Sequence, residues 1–371
     1  MNKVQIGAVQ LLTIFANLVF GKAVGYTNGT IIRAVGNDAW LSMIIAFLTG
    51  ALVVPATVWL ARRRGSETPA EYIPKLLGRP LGALTLLLLA VFFIGAYVTS
   101  AITITQHIND YLMTETPLSL FVVGYALLTV YGAYLGLEVV ARLSVLGLVM
   151  TVLLNIAMVL GSITHVDLTR MLPFFDHGVL PVIAASARGD TDVTMATASA
   201  LILLPLCAAP AKRWLRLCWW GLGIGGLLVL TWTVFEITVL GPEMTAQYLV
   251  ACMQMARAAE LSIYVHRYEM IMVVMFVYGV ITQSVVCLYC AVGLTAGALP
   301  FKIKRGYLIS ALALLSIGPQ YYLASDRDRY GQFLAVVWPP VCIALAYGIP
   351  LLLCLVALFR PAVGKGASKN V

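Results

Sequence analysis

Ten apolar runs follow one another along the chain, at roughly 8–34, 39–60, 80–106, 118–134, 138–162, 178–209, 215–240, 269–298, 306–323 and 332–359. A helix needs about 20 mainly apolar residues to cross the hydrocarbon core of a bilayer. In lipid, each backbone N–H and C=O must be satisfied within the protein, so helix is the expected form. Composition leads the same way: 61% of the 371 residues are hydrophobic and 11% are charged, whereas a soluble domain carries about a quarter charged. The expected fold is therefore an all-α polytopic membrane protein with a single transmembrane domain over 1–371.

The net charge of +8 does not point to nucleic acid. The cations fall in short clusters between apolar runs, as in Arg62-Arg63-Arg64, Lys212-Arg213 with Arg216, and Lys302, Lys304, Arg305. A nucleic-acid interface would gather them on one folded surface. With the N-terminus placed in the cytoplasm, sixteen basic residues fall on that side: Lys3, the three clusters above, Lys75, Arg79, Arg142, Arg360, Lys365 and Lys369. Seven fall outside: Arg33, Arg170, Arg188, Arg257, Arg267, Arg327 and Arg329. The positive-inside bias thus predicts both termini in the cytoplasm. Met1-Asn2-Lys3 leads straight into the first run without a small-residue cleavage site, which reads as a retained span. Residues 62–79 are expected to hold an interfacial helix, and 241–268 one or two short helices on the outside.

Seven cysteines lie mostly in or beside apolar runs, where a thiol acts as a small hydrophobe. Cys287 and Cys290 form a CxxC inside a span with no second pair, so neither metal nor cofactor is expected. The four histidines are scattered and join no acid at a catalytic or metal-ligand spacing, which excludes a recognisable enzyme motif.

Two runs are too long for plain spans. The first holds Gly21 and Gly25 near its middle; the sixth holds Arg188-Gly189-Asp190-Thr191-Asp192. Interrupted segments at corresponding positions of two halves point to an inverted-repeat transporter with broken helices. The halves are about 1–165 and 166–371.

Five further stretches resemble a known family. They are Asp38-Ala39-Trp40-Leu41-Ser42; Glu71-Tyr72 with Leu77-Gly78-Arg79-Pro80-Leu81-Gly82; Gly136-Leu137-Glu138-Val139-Val140-Ala141-Arg142; Leu172-Pro173-Phe174-Phe175-Asp176-His177-Gly178-Val179-Leu180-Pro181; and Tyr264-Val265-His266-Arg267-Tyr268-Glu269. In order and spacing they are similar to the spore-germination permeases, the B subunits of germinant receptors, within the amino acid/polyamine/organocation (APC) superfamily. The resemblance implies an APC/LeuT-like 5+5 inverted repeat, a small-molecule germinant such as an amino acid, and a complex with a larger A subunit and a lipoprotein C subunit. A proton- or sodium-coupled amino-acid transporter of the same fold is the alternative. Sodium-coupled relatives use eighth-span hydroxyls, here Thr282 and Ser284, with first-span carbonyls.

The expected ligand site lies between Phe20–Gly25 and Asp190–Thr197. Gly21 and Gly25 either permit close helix packing or open a turn whose N–H groups bind an anionic substrate group. Lys22 is costly at mid-membrane depth, by about 2.5–3.5 kcal/mol; Asp190, Asp192 and Glu236 are its candidate partners. Asp190, Thr191, Asp192 and Thr194 form either an external loop before a short sixth span or an unwound centre beside Gly21 and Lys22, and Thr197 continues that helix toward the cavity. Tyr97 and Ser100 in the third span and Thr282 in the eighth line it or back-bond to their own helices. Glu236 is a candidate coupling group. Glu138 and Arg142, four apart on one helix face, are expected to form a structural ion pair.

Overall fold

A computed structural model describes residues 5–248, 250–262, 265–266 and 268–359. Lys3, Tyr264, Arg267, Arg360, Lys365 and Lys369, used in the sequence reading, lie outside the described residues, as do Met1 and Asn2.

Among the described residues, ten helical segments match the ten apolar runs. The first comprises Ala8–Lys22, a π-helical turn Ala23–Thr27 and Asn28–Val35. There follow Ala39–Arg64, Arg79–Tyr111, Leu118–Leu135, Leu137–Ser162 and Val179–Leu203. The last four are Ala211–Leu240, Glu269–Ala298, Arg305–Ala324 and Arg327–Phe359. The sixth carries Arg188, Asp190 and Asp192 within it; Asp190 and Asp192 are buried and Arg188 is half-buried.

Close pairing of helices follows from small residues at the contacts. The first span packs on the seventh, the second on the sixth and the third on the eighth. At Gly225 of the seventh span an added Cβ would stand 2.8 Å from the carbonyl oxygen of Ala16 and 3.1 Å from its Cα. Backbones this close are the usual means of packing helices in lipid, where burial between helices gains no hydrophobic driving force.

The connections sort to two sides without reference to charge. Ile6 bonds to the 204–210 connection through both its N–H and its carbonyl (Ile6 N to Leu206 O 3.0 Å, Ala208 N to Ile6 O 2.9 Å), and Gln5 N donates to Glu138 at 3.3 Å. On the opposite side Arg33 reaches Ala246 O at 2.7 Å, Asn37 reaches Met171 O at 3.2 Å, and Arg327 pairs with Asp110 at 2.8 Å. The expected interfacial helix is Pro69–Leu77, opened by a Thr68/Glu71 capping box. The 241–268 connection carries two short helices, Pro242–Gln247 and Ala251–Ala258. It also carries a small antiparallel pair, Glu260–Ser262 with Val265–His266, that the sequence reading did not anticipate.

Gly225→Leu should therefore force the first and seventh spans apart and cost about 1–3 kcal/mol. Gly223→Leu is the matched control, because nothing lies within 4 Å of a Cβ there. Thermal unfolding of both variants in detergent checks this, with a lowered midpoint expected for Gly225→Leu alone.

Candidate functional site

The first span widens at its middle. The π turn Ala23–Thr27 begins directly after Lys22 and ends with Asn28 N donating to Ala23 O. π turns inside α-helices occur often at functional sites. Here the wide turn carries Thr27 to the side on which Lys22 projects, and the Lys22 ammonium donates to Thr27 Oγ1 at 2.9 Å. From the sixth span Thr191 Oγ1 lies 3.0 Å from Nζ and Asp192 Oδ1 2.9 Å from it. Lys22 is fully buried and the Asp192 side chain 2% exposed. A buried pair of this kind stands only when its attraction and added hydrogen bonds offset the several kcal/mol per ion lost on leaving water. The two threonine hydroxyls provide those bonds on the lysine side of the pair.

Of the three candidate partners for Lys22, the structure selects Asp192. Asp190 is two residues away on the same α-helix, hence on nearly the opposite face; its Oδ1 accepts from Tyr347 of the tenth span at 3.0 Å. Glu236 is fully buried at the start of a second π turn, Glu236–Leu240, beside Asn28 of the first span. Asn28 Oδ1 in turn accepts from Thr233 at 3.1 Å.

The first span is interrupted as expected, but by widening and without unwinding. The sixth runs as continuous α-helix through Asp190–Thr197. Gly189 produces no break because its missing Cβ makes room for Ala46 and Met43 of the second span, at 2.9 and 3.0 Å. Gly21 and Gly25 also serve close approach. A Cβ at Gly21 would meet the Gln283 side chain, whose Nε2 donates to Leu18 O at 2.8 Å, and one at Gly25 would meet Thr103 and His107.

Other expected site residues spread around this centre. Phe20 meets the Phe276 ring edge-on at 6.3 Å. Tyr97 turns toward the fourth span and shares a hydrogen bond with Thr129 at 2.8 Å. Ser100, Thr194, Thr197 and Thr282 donate to carbonyls of their own helices, at Ala96, Thr191, Thr194 and Tyr278. Glu138 and Arg142 do not form the expected ion pair. Both are exposed, and Glu138 accepts from Gln5 N instead. A freely solvated i,i+4 pair gains only about 0.2–0.5 kcal/mol, too little to fix two long side chains.

Above the pair, on the side of Arg33 and Asp110, the protein is closed. Tyr26, within the π turn, donates to Gln106 Oε1 and packs edge-on against Tyr330 at 4.9 Å and His107 at 6.1 Å. Tyr330 is anchored to Thr99 O at 3.0 Å and Gln106 to Ala324 O at 2.9 Å. Tyr26 also floors a polar vestibule of about 460 Å³ with Arg33, Asp110, Arg327 and Asp328 on its walls. Sequence reasoning found Lys22, Thr191 and Asp192 but missed Thr27, Gln106 and Tyr330. The one available signal was a hydroxyl five residues after a buried lysine, the spacing of a π turn.

The family model described as spore germination protein matches residues 5–324. The chain belongs to the spore germination permease family. It is 21% identical over 360 residues to the Bacillus subtilis (strain 168) spore germination protein YfkT, covering 95% of this chain and 97% of that one. It is 19% identical over 337 residues to spore germination protein A2 of the same organism, covering 90% and 92%. Its fold is the APC/LeuT-like transporter fold. Two crystal structures of the Eremococcus coleocola manganese transporter superpose on it at TM-scores of 0.57 (a mutant) and 0.59 (a complex with an aromatic bis-isothiourea compound). Each is 13% identical and covers 94% of this chain and 77% of that one. This spore germination permease is a multi-pass membrane protein, and its relatives and structural neighbours are permeases and transporters.

Lys22→Met should leave Asp192 as an uncompensated buried charge and destabilise the permease by about 3–5 kcal/mol. Adding Asp192→Leu should restore most of that loss, because a buried pair is often neutral against apolar residues of similar volume. Equilibrium unfolding of the two single variants and the double variant, in one cycle, measures the coupling directly.

Proposed function

We propose that this protein is the B subunit of a germinant receptor in the bacterial inner membrane, with both termini cytoplasmic. It senses a small zwitterionic nutrient, an amino acid, between its first and sixth spans and passes the signal on as a change of conformation. The observation that carries this reading is the Lys22–Asp192 pair at the π turn. One ammonium and one carboxylate, fully buried and 2.9 Å apart, are the same two groups that an amino acid brings. A ligand ammonium at Asp192 and a ligand carboxylate at Lys22 would exchange one internal contact for two, with the Thr27 and Thr191 hydroxyls ready for either state.

Several further points support the reading. Spans one and six come together at the centre, as two inverted repeats of about 1–165 and 166–371 require. Ile6, near the N-terminus, shares a side with the Lys212–Arg216 cluster, so the charge bias and the backbone pairing agree on sidedness. The larger A subunit and the lipoprotein C subunit are the partners that family membership suggests. The manganese of the structural neighbours is a property of those proteins; among the described residues here, no three His, Cys, Asp or Glu side chains converge.

A thermal-shift screen of the twenty amino acids on the purified protein tests the proposal. At least one should raise the midpoint, and the shift should vanish in Asp192→Asn while persisting in Asp190→Asn. The Lys22→Gln/Asp192→Asn double variant, which removes both charges, separates loss of binding from loss of folding. No shift with any amino acid in the folded wild type sinks the amino-acid reading.

The shared fold with a transporter favours one second reading, a coupled amino-acid transporter. Uptake of the stabilising amino acid into proteoliposomes decides between them. A receptor should show no accumulation above the external concentration under an imposed proton or sodium gradient, whereas gradient-driven accumulation would establish transport.

A further inference from the structure

The second span (Ala39–Arg64) and the seventh (Ala211–Leu240) enclose a groove of about 520 Å³ on the outer surface of the helix bundle. Its walls are apolar: Ile44, Phe47, Leu48 and Ala51 on one side, and a face running from Trp219 to Leu230 on the other. Leu48 and Leu227 are 58% and 65% exposed, so the groove opens outward. Gly223 leaves it unfilled, with nothing within 4 Å of a Cβ. Trp219 marks one end and donates to Ala51 O at 3.1 Å.

Beyond that end the same two helix faces turn basic. Counting along the seventh span in helical steps of three and four, the groove positions 230, 226, 223 and 219 continue to Arg216 and Lys212. Along the second span, positions 44, 48 and 51 continue through 55 and 58 to Arg62. Arg62 closes the arrangement: its Nε donates to Ala211 O at 2.9 Å and its Nη2 to Lys212 O at 3.2 Å. Arg62, Lys212 and Arg216 are all exposed, and none forms an ion pair among the described residues. At 1.5 Å per residue, the face from Trp219 to Leu230 is about 16 Å long, and Arg216 and Lys212 lie about 5 and 11 Å beyond Trp219. Half of a bilayer core is about 15 Å thick.

From this juxtaposition we infer that the groove is a binding site for one anionic phospholipid, its acyl chain between the second and seventh spans and its phosphate on Arg62, Lys212 and Arg216. The length of the apolar part fits one leaflet's acyl chain. Three uncompensated cations at its interfacial end complement a negative headgroup, and basic residues at this depth attract anionic lipid. A zwitterionic lipid would fill the groove equally well but would neutralise its charge poorly. A transmembrane helix from a partner would leave the three cations unmatched.

Native mass spectrometry of the full-length protein in detergent, titrated with phosphatidylglycerol or phosphatidylcholine, reads the site. Phosphatidylglycerol should be retained about tenfold more than phosphatidylcholine, and the Arg62→Gln/Lys212→Gln/Arg216→Gln variant should erase the difference. Gly223→Trp, placed in open space, should lower retention of both lipids by filling the groove. A photo-reactive side chain in place of Leu227, irradiated in native membranes, should label lipid. Equal retention of the two lipids by the wild type, or a preference unchanged in the triple variant, overturns the proposal. So does unchanged retention in Gly223→Trp, or labelling of a protein helix in place of lipid.

Discussion

The centre of this protein depends on one electrostatic constraint: an ammonium that cannot reach water must be neutralised where it stands. Lys22 is fully buried. Its four-carbon stem would permit snorkelling from a position near an interface, but the first span gives it no such route. Three oxygens, from Thr27, Thr191 and Asp192, converge on it within 3.0 Å. They come from two spans, so the ion pair also fixes the distance and rotation of the first helix against the sixth. The π turn is part of the same solution. An α-helical turn would place residue 27 farther round the axis, whereas the wider turn returns its hydroxyl to the ammonium.

Sharing a fold with a manganese transporter at 13% identity leaves function to be argued from the site. In the proposed function, the meeting of the first and sixth spans is what fixes where a ligand would be held. The side chains there decide what kind of ligand it is. A lysine facing an aspartate is neutral as a unit, attracts neither a lone cation nor a lone anion, and complements a molecule bearing both signs. In the proposed function, membership of the spore germination permeases is what connects that chemistry to nutrient sensing.

Much of this arrangement was legible in the sequence, for reasons that also explain what was not. The ten spans were visible to within a few residues because lipid imposes both their length and their composition. Lys22 stood out because a charge in such a run needs a reason. Its partner did not, since Asp190, Asp192 and Glu236 all occur in spans, and sequence fixes spacing along a helix but not the helix's rotation in the bundle. Two residues of separation turned Asp190 to the tenth span and Asp192 to the first. The glycines left two readings open, and of these the structure takes close packing: Gly21, Gly25 and Gly189 each admit a neighbouring side chain. A missing Cβ records that space is needed, not whether backbone flexibility or a neighbour uses it. The Glu138/Arg142 spacing was likewise sound geometry at a place where water already satisfies both charges.

Closure toward the vestibule follows from the same turn. Five residues carry the π turn, and three functional contacts fall on or beside it: Lys22 at its start, Tyr26 within it and Thr27 at its end. Tyr26 holds the vestibule floor shut through Gln106, Tyr330 and His107, while Lys22 and Thr27 hold the turn to the sixth span. The lid and the ion pair are therefore not separate devices joined by a long path. They are side chains of one turn, and a change of hydrogen bonding that narrowed it to α-helix would rotate Tyr26 relative to Lys22. A ligand that takes Asp192 away from Lys22 would act on the same ammonium that bonds Thr27 across the wide turn. In that scheme, the charge that makes the site costly to build is also what links its occupancy to the gate.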